Sequence, residues 1–205
     1  FGIYLARTLN AEDYGLVGML AIFSGIASTI INSGFSVALT NKLDATHKDY
    51  NAVFWFSFVV SICLYIVLFF SAPLIASFYD RQELVNLSRV IFASFLFSGM
   101  AIVPHVILFK QLQVKMQAKI DVFALFLSGM CGVLLAFNGF AYWALAIQST
   151  VYVASASLLK WMVVSWRPSL DFSIEPLKEM FPFSVKLFLT NIFQMIQSQC
   201  FFITQ

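Results

Sequence analysis

The amino-acid sequence predicts an all-α polytopic membrane protein, and three observations carry that prediction. First, Ala52–Ala72 (AVFWFSFVVSICLYIVLFFSA) is a run of 21 residues free of charge, proline and glycine. As a helix it measures roughly 30 Å, the thickness of a bilayer's hydrocarbon core. Second, further apolar runs of similar length flank it, separated by short connectors. Third, 60% of the 205 residues are hydrophobic and 11% charged, with a mean hydropathy of +0.87. Soluble domains carry about 25% charged residues. The few charges here are grouped between apolar runs, the arrangement that a bundle of spanning helices requires.

The chain opens inside one apolar run, FGIYLA, which is too short to span. Phe1 to Leu9 reads as the last turns of a first helix, ending in Arg7. Asn10 then caps a second helix, with Asp13 three residues on completing a variant capping box. That helix is expected from about Tyr14 to Leu39, with small positions at Gly15, Gly18 and Gly25 and a polar end at Thr29, Asn32 and Ser33. Thr40–Tyr50 is a charged connector. The third helix is the Ala52–Ala72 run, continuing past Pro73 towards Tyr79. Asp80–Arg89 is an amphipathic lead into a fourth helix that reaches about Phe109, with Pro104 expected to kink it.

Lys110, Lys115 and Lys119 form the next basic cluster. A fifth helix runs to about Phe137, followed by the tight turn Asn138-Gly139. The sixth covers roughly Tyr142–Trp166 and offers Ala154, Ser155, Ala156 and Ser157 as a packing face. Arg167-Pro168 ends it. Residues 168–179 form a polar linker, and a seventh helix begins near Met180. The chain closes in another apolar run, CFFITQ, so it is expected to be a piece of a longer protein. The corresponding domain division is 1–166, 167–179 and 180–205.

Connector charge orients the bundle. Alternate connectors (40–50, 110–119 and 160–178) hold Lys42, Lys48, Lys110, Lys115, Lys119, Lys160, Arg167 and Lys178, eight basic residues against three (Arg7, Arg81, Arg89) on the other side. The positive-inside rule makes the first set cytoplasmic. The formal charge of +2 is too small to point to nucleic acid. Cys63, Cys131 and Cys200 all lie in apolar runs without zinc-ligand spacing and read as packing residues.

The polar groups that could act sit mainly on the seventh helix. At 100° per residue, Lys186, Thr190, Gln194 and Gln197 fall within an arc of about 80°. Glu179 extends the stripe, and Asn191 and Ser198 flank it; Phe188, Ile192 and Met195 lie opposite. A lysine well inside a spanning helix costs several kcal/mol unless it meets water or a partner. Two readings stay open: a cationic, hydrogen-bonding cavity wall, or a snorkelling Lys186 with glutamines that tie helices together. Arg7 and Arg89 are further cavity candidates, with interfacial anchoring as the alternative. Lys115 and Lys119, an i,i+4 pair, could meet a phosphate. His47 and His105 match no metal or catalytic pattern. There is no G-x-S-x-G, no P-loop and no paired carboxylate placed at membrane depth, so the sequence offers no support for an enzyme and calls for no cofactor.

Leu5-Ala6-Arg7-Thr8-Leu9 followed by Glu12-Asp13-Tyr14-Gly15 resembles the start of polysaccharide-unit exporters of the Wzx type, in the multidrug/oligosaccharidyl-lipid/polysaccharide flippase superfamily. Later pieces resemble it in the same order: Gly34-Phe35-Ser36, Tyr50-Asn51 with Phe54-Trp55, Ala72-Pro73-Leu74-Ile75-Ala76, Gly139-Phe140 with Trp143-Ala144-Leu145, Arg167-Pro168 and Phe183-Ser184. The resemblance implies a helical bundle of two six-helix lobes around a central cavity, working by alternating access. This chain would hold the first lobe and the start of the second. It implies a substrate, an oligosaccharide on undecaprenyl diphosphate, moved across the bacterial inner membrane among membrane lipids and next to the polysaccharide polymerase machinery. Lys186, Asn191 and Gln194 would then meet diphosphate and sugar. The rivals are a drug/cation antiporter, which usually needs a carboxylate at membrane depth, a lipid II flippase, and a membrane subunit that transports nothing.

Overall fold

The computed structural model describes residues 10–32, 34–169 and 173–203, and beyond Thr190 only the course of the helix. Among these residues the chain forms seven helices: α1 (Ala11–Asn32), α2 (Phe35–Asn41), α3 (His47–Phe78), α4 (Glu83–Lys110), α5 (Val114–Phe137), α6 (Ala141–Val163) and α7 (Glu175–Ile203). The expected helix at Phe1–Leu9 lies outside the described residues.

α1 starts as its sequence dictates: the Asn10 backbone N–H donates to the Asp13 carboxylate at 3.0 Å. The single helix expected over Tyr14–Leu39 is in fact two. Gly34 takes φ +74°, the left-handed region that a glycine enters without cost, and turns the chain into α2. α3 begins earlier than the apolar run, because Thr46 and Asp49 build a capping box: the Asp49 carboxylate accepts from the Thr46 N–H and hydroxyl, both at 2.7 Å. Gly139, at φ +78°, makes the α5–α6 turn. α7 also begins earlier than the expected Met180, at Glu175. Pro176 sits at the second position of the first turn, where no backbone donor is missed.

α4 is the organising helix, packing on α3, α6, α1, α2 and α5. Leu84, Leu87, Phe92, Val103, Val106 and Leu108 on it are fully enclosed. Two glycines set how closely neighbours approach. A Cβ on Gly99 of α4 would overlap the Ser61 side chain of α3 and lie 3.0 Å from the Ser57 carbonyl. A Cβ on Gly132 of α5 would stand 2.8 Å from the Gln148 amide oxygen of α6.

The outward faces of α3 and α5 are apolar: Val59, Ile66, Val67, Phe70 and Leu74 on one, Val122, Phe123, Phe126, Met130 and Leu134 on the other, all exposed. No soluble protein leaves so much apolar surface to water. Four spans among the described residues are long and apolar enough to cross a membrane: Glu12–Asn41, His47–Phe78, Glu83–Lys110 and Val114–Phe137. α6 has the length but carries Gln148, Ser149, Thr150, Ser155, Ser157 and Lys160. The chain is an all-α, polytopic membrane protein whose polarity is concentrated on one of its inner helices.

The connectors rich in lysine meet at one end of the bundle. Lys110 donates to the carbonyls of Leu39 and Lys42, which cap the end of α2. The segment after α6 folds back on α3: Trp55 Nε1 donates to the Ser169 carbonyl at 2.8 Å, the Ser169 N–H donates to Asn51 at 3.0 Å, and Trp166 Nε1 donates to His47 Nδ1 at 3.0 Å. Arg81 pairs with Glu12 at 2.6 Å at the opposite end.

Candidate functional site

A half-open cavity of about 220 Å³ lies between α1, α2, α4, α5 and α6. Its polar lining comes from Ser28, Ser36, Ser98, His105, Asp121, Tyr152, Ser157 and Lys160. A fold built only to pack apolar helices fills such a space with side chains. Counting rises of 1.5 Å per residue from the helix ends, Asp121 lies about 10 Å inside the basic end, His105 about 8 Å and Lys160 about 5 Å.

The centre of the cavity is an ion pair. Lys160 Nζ stands 3.6 Å from Asp121 Oδ1, with the lysine side chain 13% exposed and the carboxylate 46%. That separation is electrostatic contact without a hydrogen bond, so the ammonium keeps donors for whatever enters the cavity. Gln117 ties the start of α5 to α4 by donating to the His105 carbonyl at 3.1 Å. Cation, carboxylate, imidazole and hydroxyls together offer both donors and acceptors, the set that a polyhydroxylated group or a water-borne ion needs.

A second, larger and more open groove of about 470 Å³ adjoins it between α1, α5 and α6. Val17, Gly18, Ala21, Leu125 and Leu145 make it mainly apolar, and Tyr152 borders both spaces. Polar and apolar cavities therefore follow one another along α6.

Asp121 is a single carboxylate, paired with a lysine rather than with a second carboxylate, and the sequence reading does not single it out. Lys160, counted with the connectors, belongs to α6 and points inward. The signal was present in the spacing: Tyr152, Ala156 and Lys160 recur every four residues with Ser149 and Ser157 beside them, a polar stripe on a spanning helix. Reading Lys160 as a boundary cation concealed it.

On α7, Lys186 and Thr190 are exposed and one turn apart, with the Thr190 hydroxyl donating to the Lys186 carbonyl at 2.9 Å. The helix docks by another face, where Pro176, Met180 and Ser184 are buried. Asn191, Gln194 and Gln197 continue α7, their side chains outside the described residues, as is Arg7. Arg89 is held elsewhere: its guanidinium sits 4.2 Å from the centre of the Phe69 ring on α3, with its buried Nε unpartnered. Among the described residues no contact joins Arg89 to Lys186.

Fold and cavity together define the class, a polytopic helical membrane protein with a half-open polar cavity between its helices. More particularly, the chain belongs to the polysaccharide biosynthesis protein family, which it matches over residues 4–203. It is 30% identical to the teichuronic acid biosynthesis protein TuaB of Bacillus subtilis (strain 168) over 159 residues, 77% of this chain and 33% of that protein. It is 23% identical to the succinoglycan biosynthesis transport protein ExoT of Rhizobium meliloti (strain 1021), over 95% of this chain and 40% of that protein. The lipopolysaccharide biosynthesis protein WzxC of Escherichia coli (strain K12) is 19% identical over 83% of this chain and 35% of its own length. The chain thus spans between a third and two fifths of these relatives. No solved structure matches it.

Proposed function

We propose that this chain is the first lobe, with the opening helix of the second, of a transporter that flips lipid-linked oligosaccharide repeat units across the bacterial inner membrane by alternating access. The observation that carries the reading is the half-open polar cavity between apolar helices, in a chain of the polysaccharide biosynthesis protein family that is also similar to a protein named a transport protein. A subunit that only packs has no use for a chamber lined by a cation, a carboxylate and hydroxyls. Residues 1–166 form the first lobe, the following segment up to 179 joins the lobes, and 180–205 starts the second. The basic end faces the cytoplasm. The protein is a transporter rather than an enzyme, and the polysaccharide polymerase is its functional neighbour.

In this reading Lys186 and Thr190, with Asn191, Gln194, Gln197, Arg7 and Arg89 as further contributors, line the passage between the lobes. Lys186 supplies the cation that a diphosphate requires. Deleting the complete gene should abolish surface polysaccharide and trap lipid-linked repeat units on the cytoplasmic face. Lys186→Ala in the complete protein should reproduce that loss while membrane insertion, read by blot, stays normal. A second reading, a drug or cation antiporter, is favoured by Asp121, a carboxylate that lines the polar cavity beside Lys160. Unchanged polysaccharide together with altered tolerance of cationic drugs would select it.

A further inference from the structure

We propose that Gly34, Ser184, Lys42 and Glu179 form a two-level seal between the lobes, and that the structure is the state closed at its basic end. The inference rests on the division into lobes given above. The lower level is a contact of bare backbones. At Gly34, where the chain turns from α1 into α2, an added Cβ would lie 2.5 Å from the Ser184 carbonyl oxygen and 2.9 Å from its Cα on α7. Glycine serves twice here, for its positive φ and for this approach. The upper level, two turns nearer the basic end, is Lys42 Nζ, 2.6 Å from Glu179 of α7 and 3.0 Å from Asp49 of α3.

Three features suit this contact to opening rather than to permanence. Glu179 is 66% exposed, and an ion pair in that setting is a weak bond. Lys42 has a second carboxylate on its own lobe, so departure of α7 leaves neither Lys42 nor the buried Asp49 unpaired. The Ser184 hydroxyl is buried without a hydrogen-bond partner, so this state does not satisfy every polar group at the contact. Glu179 first and Asp49 second hold the Lys42 pKa above its ordinary value, so the ammonium stays charged through the neutral range and its contribution fades only above the ordinary lysine range. Lys186 stands half a turn beyond Ser184, on the side away from the basic end. The stripe proposed to meet substrate therefore begins just past the seal.

The test uses the complete protein in a background where Cys63, Cys131 and Cys200 are replaced. Lys186→Cys is labelled with a membrane-impermeant maleimide, in inside-out vesicles and in intact spheroplasts. Labelling is expected to be low from the cytoplasmic side. Gly34→Val should raise it about tenfold, the shift that a loss of 1.4 kcal/mol produces. Because Gly34→Val also strains the turn, Glu179→Lys is measured beside it, with Lys42 left in place to keep its pair with Asp49. Its labelling should rise as well. In a separate protein, Lys42→Cys and Glu179→Cys are bridged with a short bifunctional thiol reagent. Bridging should stop export and reductant should restore it. The seal is refuted if cytoplasmic labelling ignores both Gly34→Val and the charge reversal, or if export continues through a complete bridge. The labelling needs no polysaccharide substrate, so it decides the seal even where the export assay shows that repeat units are not the cargo.

Discussion

The α3–α4–α5–α6 bundle and the docking of α7 are two solutions to bringing helices together, and they differ in what would break them. Within the bundle, buried Gly99 interlocks with a side chain and a backbone carbonyl of α3, and aromatic pairs such as Phe92–Phe95 and Phe54–Trp161 pack elsewhere in the same core. α7 is held by a glycine against a bare backbone, by an exposed ion pair and by a short buried face. Both interfaces use small residues at closest approach. Only the first is walled by large buried side chains, so it behaves as one body and α7 as a part that can leave.

The largest expected effect breaks the tight side of that comparison. Gly99→Leu must displace Ser61 and the Ser57 backbone of α3, for which neither helix has slack, and should cost about 3 kcal/mol or more. Thermal unfolding in detergent, followed by size-exclusion, should show loss of monodisperse protein. Gly132→Ala makes a useful contrast, since its nearest obstacle is the amide end of Gln148, with that residue's Cβ at 3.1 Å asking only a small shift, and it should lose less than Gly99→Leu. Equal damage from both would mean that α4 is not the helix on which the others depend.

A smaller effect sharpens the chamber itself. Asp121→Asn leaves the 13%-exposed Lys160 ammonium without its counter-ion, whereas Lys160→Met leaves a carboxylate that is 46% exposed. Breaking a fully buried pair costs about 3–5 kcal/mol, and partial exposure reduces this. Asp121→Asn should therefore lose about 2 kcal/mol and Lys160→Met less than half of that, with the double variant recovering part of the loss. Unfolding midpoints in a denaturing detergent would show the asymmetry. Equal losses would mean that the cavity is wetter around Lys160 than its exposure implies.

Much of the fold was legible because lipid enforces simple rules. Apolar length located α3, α4 and α5, and Asn138-Gly139 located the turn between α5 and α6. What could not be read depended on three-dimensional partners. The break at Gly34 was missed because Asn32 and Ser33 before it also suit the polar end of a single helix, and nothing local shows that the backbone there meets Ser184. The early start of α7 at Glu175 reflects a proline that is harmless in a first turn. In the cavity, Lys160 reads from the sequence as a connector cation, and Asp121 stands out by no motif. Only the packing of α5 on α6 shows that they face one another, because two charges 39 positions apart carry no periodic signature. The α7 stripe was legible for the opposite reason, since its members share one helix and their spacing suffices.

The smallest effect tests the loose side. Glu179→Gln removes the exposed carboxylate while Lys42 keeps Asp49, so the unfolding midpoint should move by less than about 1 kcal/mol. Raising the salt from 0.1 to 1 M shortens the screening length from about 10 Å to about 3 Å and should imitate the substitution in the parent while adding little to the variant. The α3–α4 contact at Gly99 offers no counterpart, because Ser57 and Ser61 opposite it carry no charge. A substitution that leaves global stability almost unchanged and yet alters cytoplasmic accessibility is the mark of an interface that is opened in use. Glu179→Gln that unfolds the protein as severely as Gly99→Leu would place α7 inside the first lobe's core, and the division of the chain at the linker would then have to move.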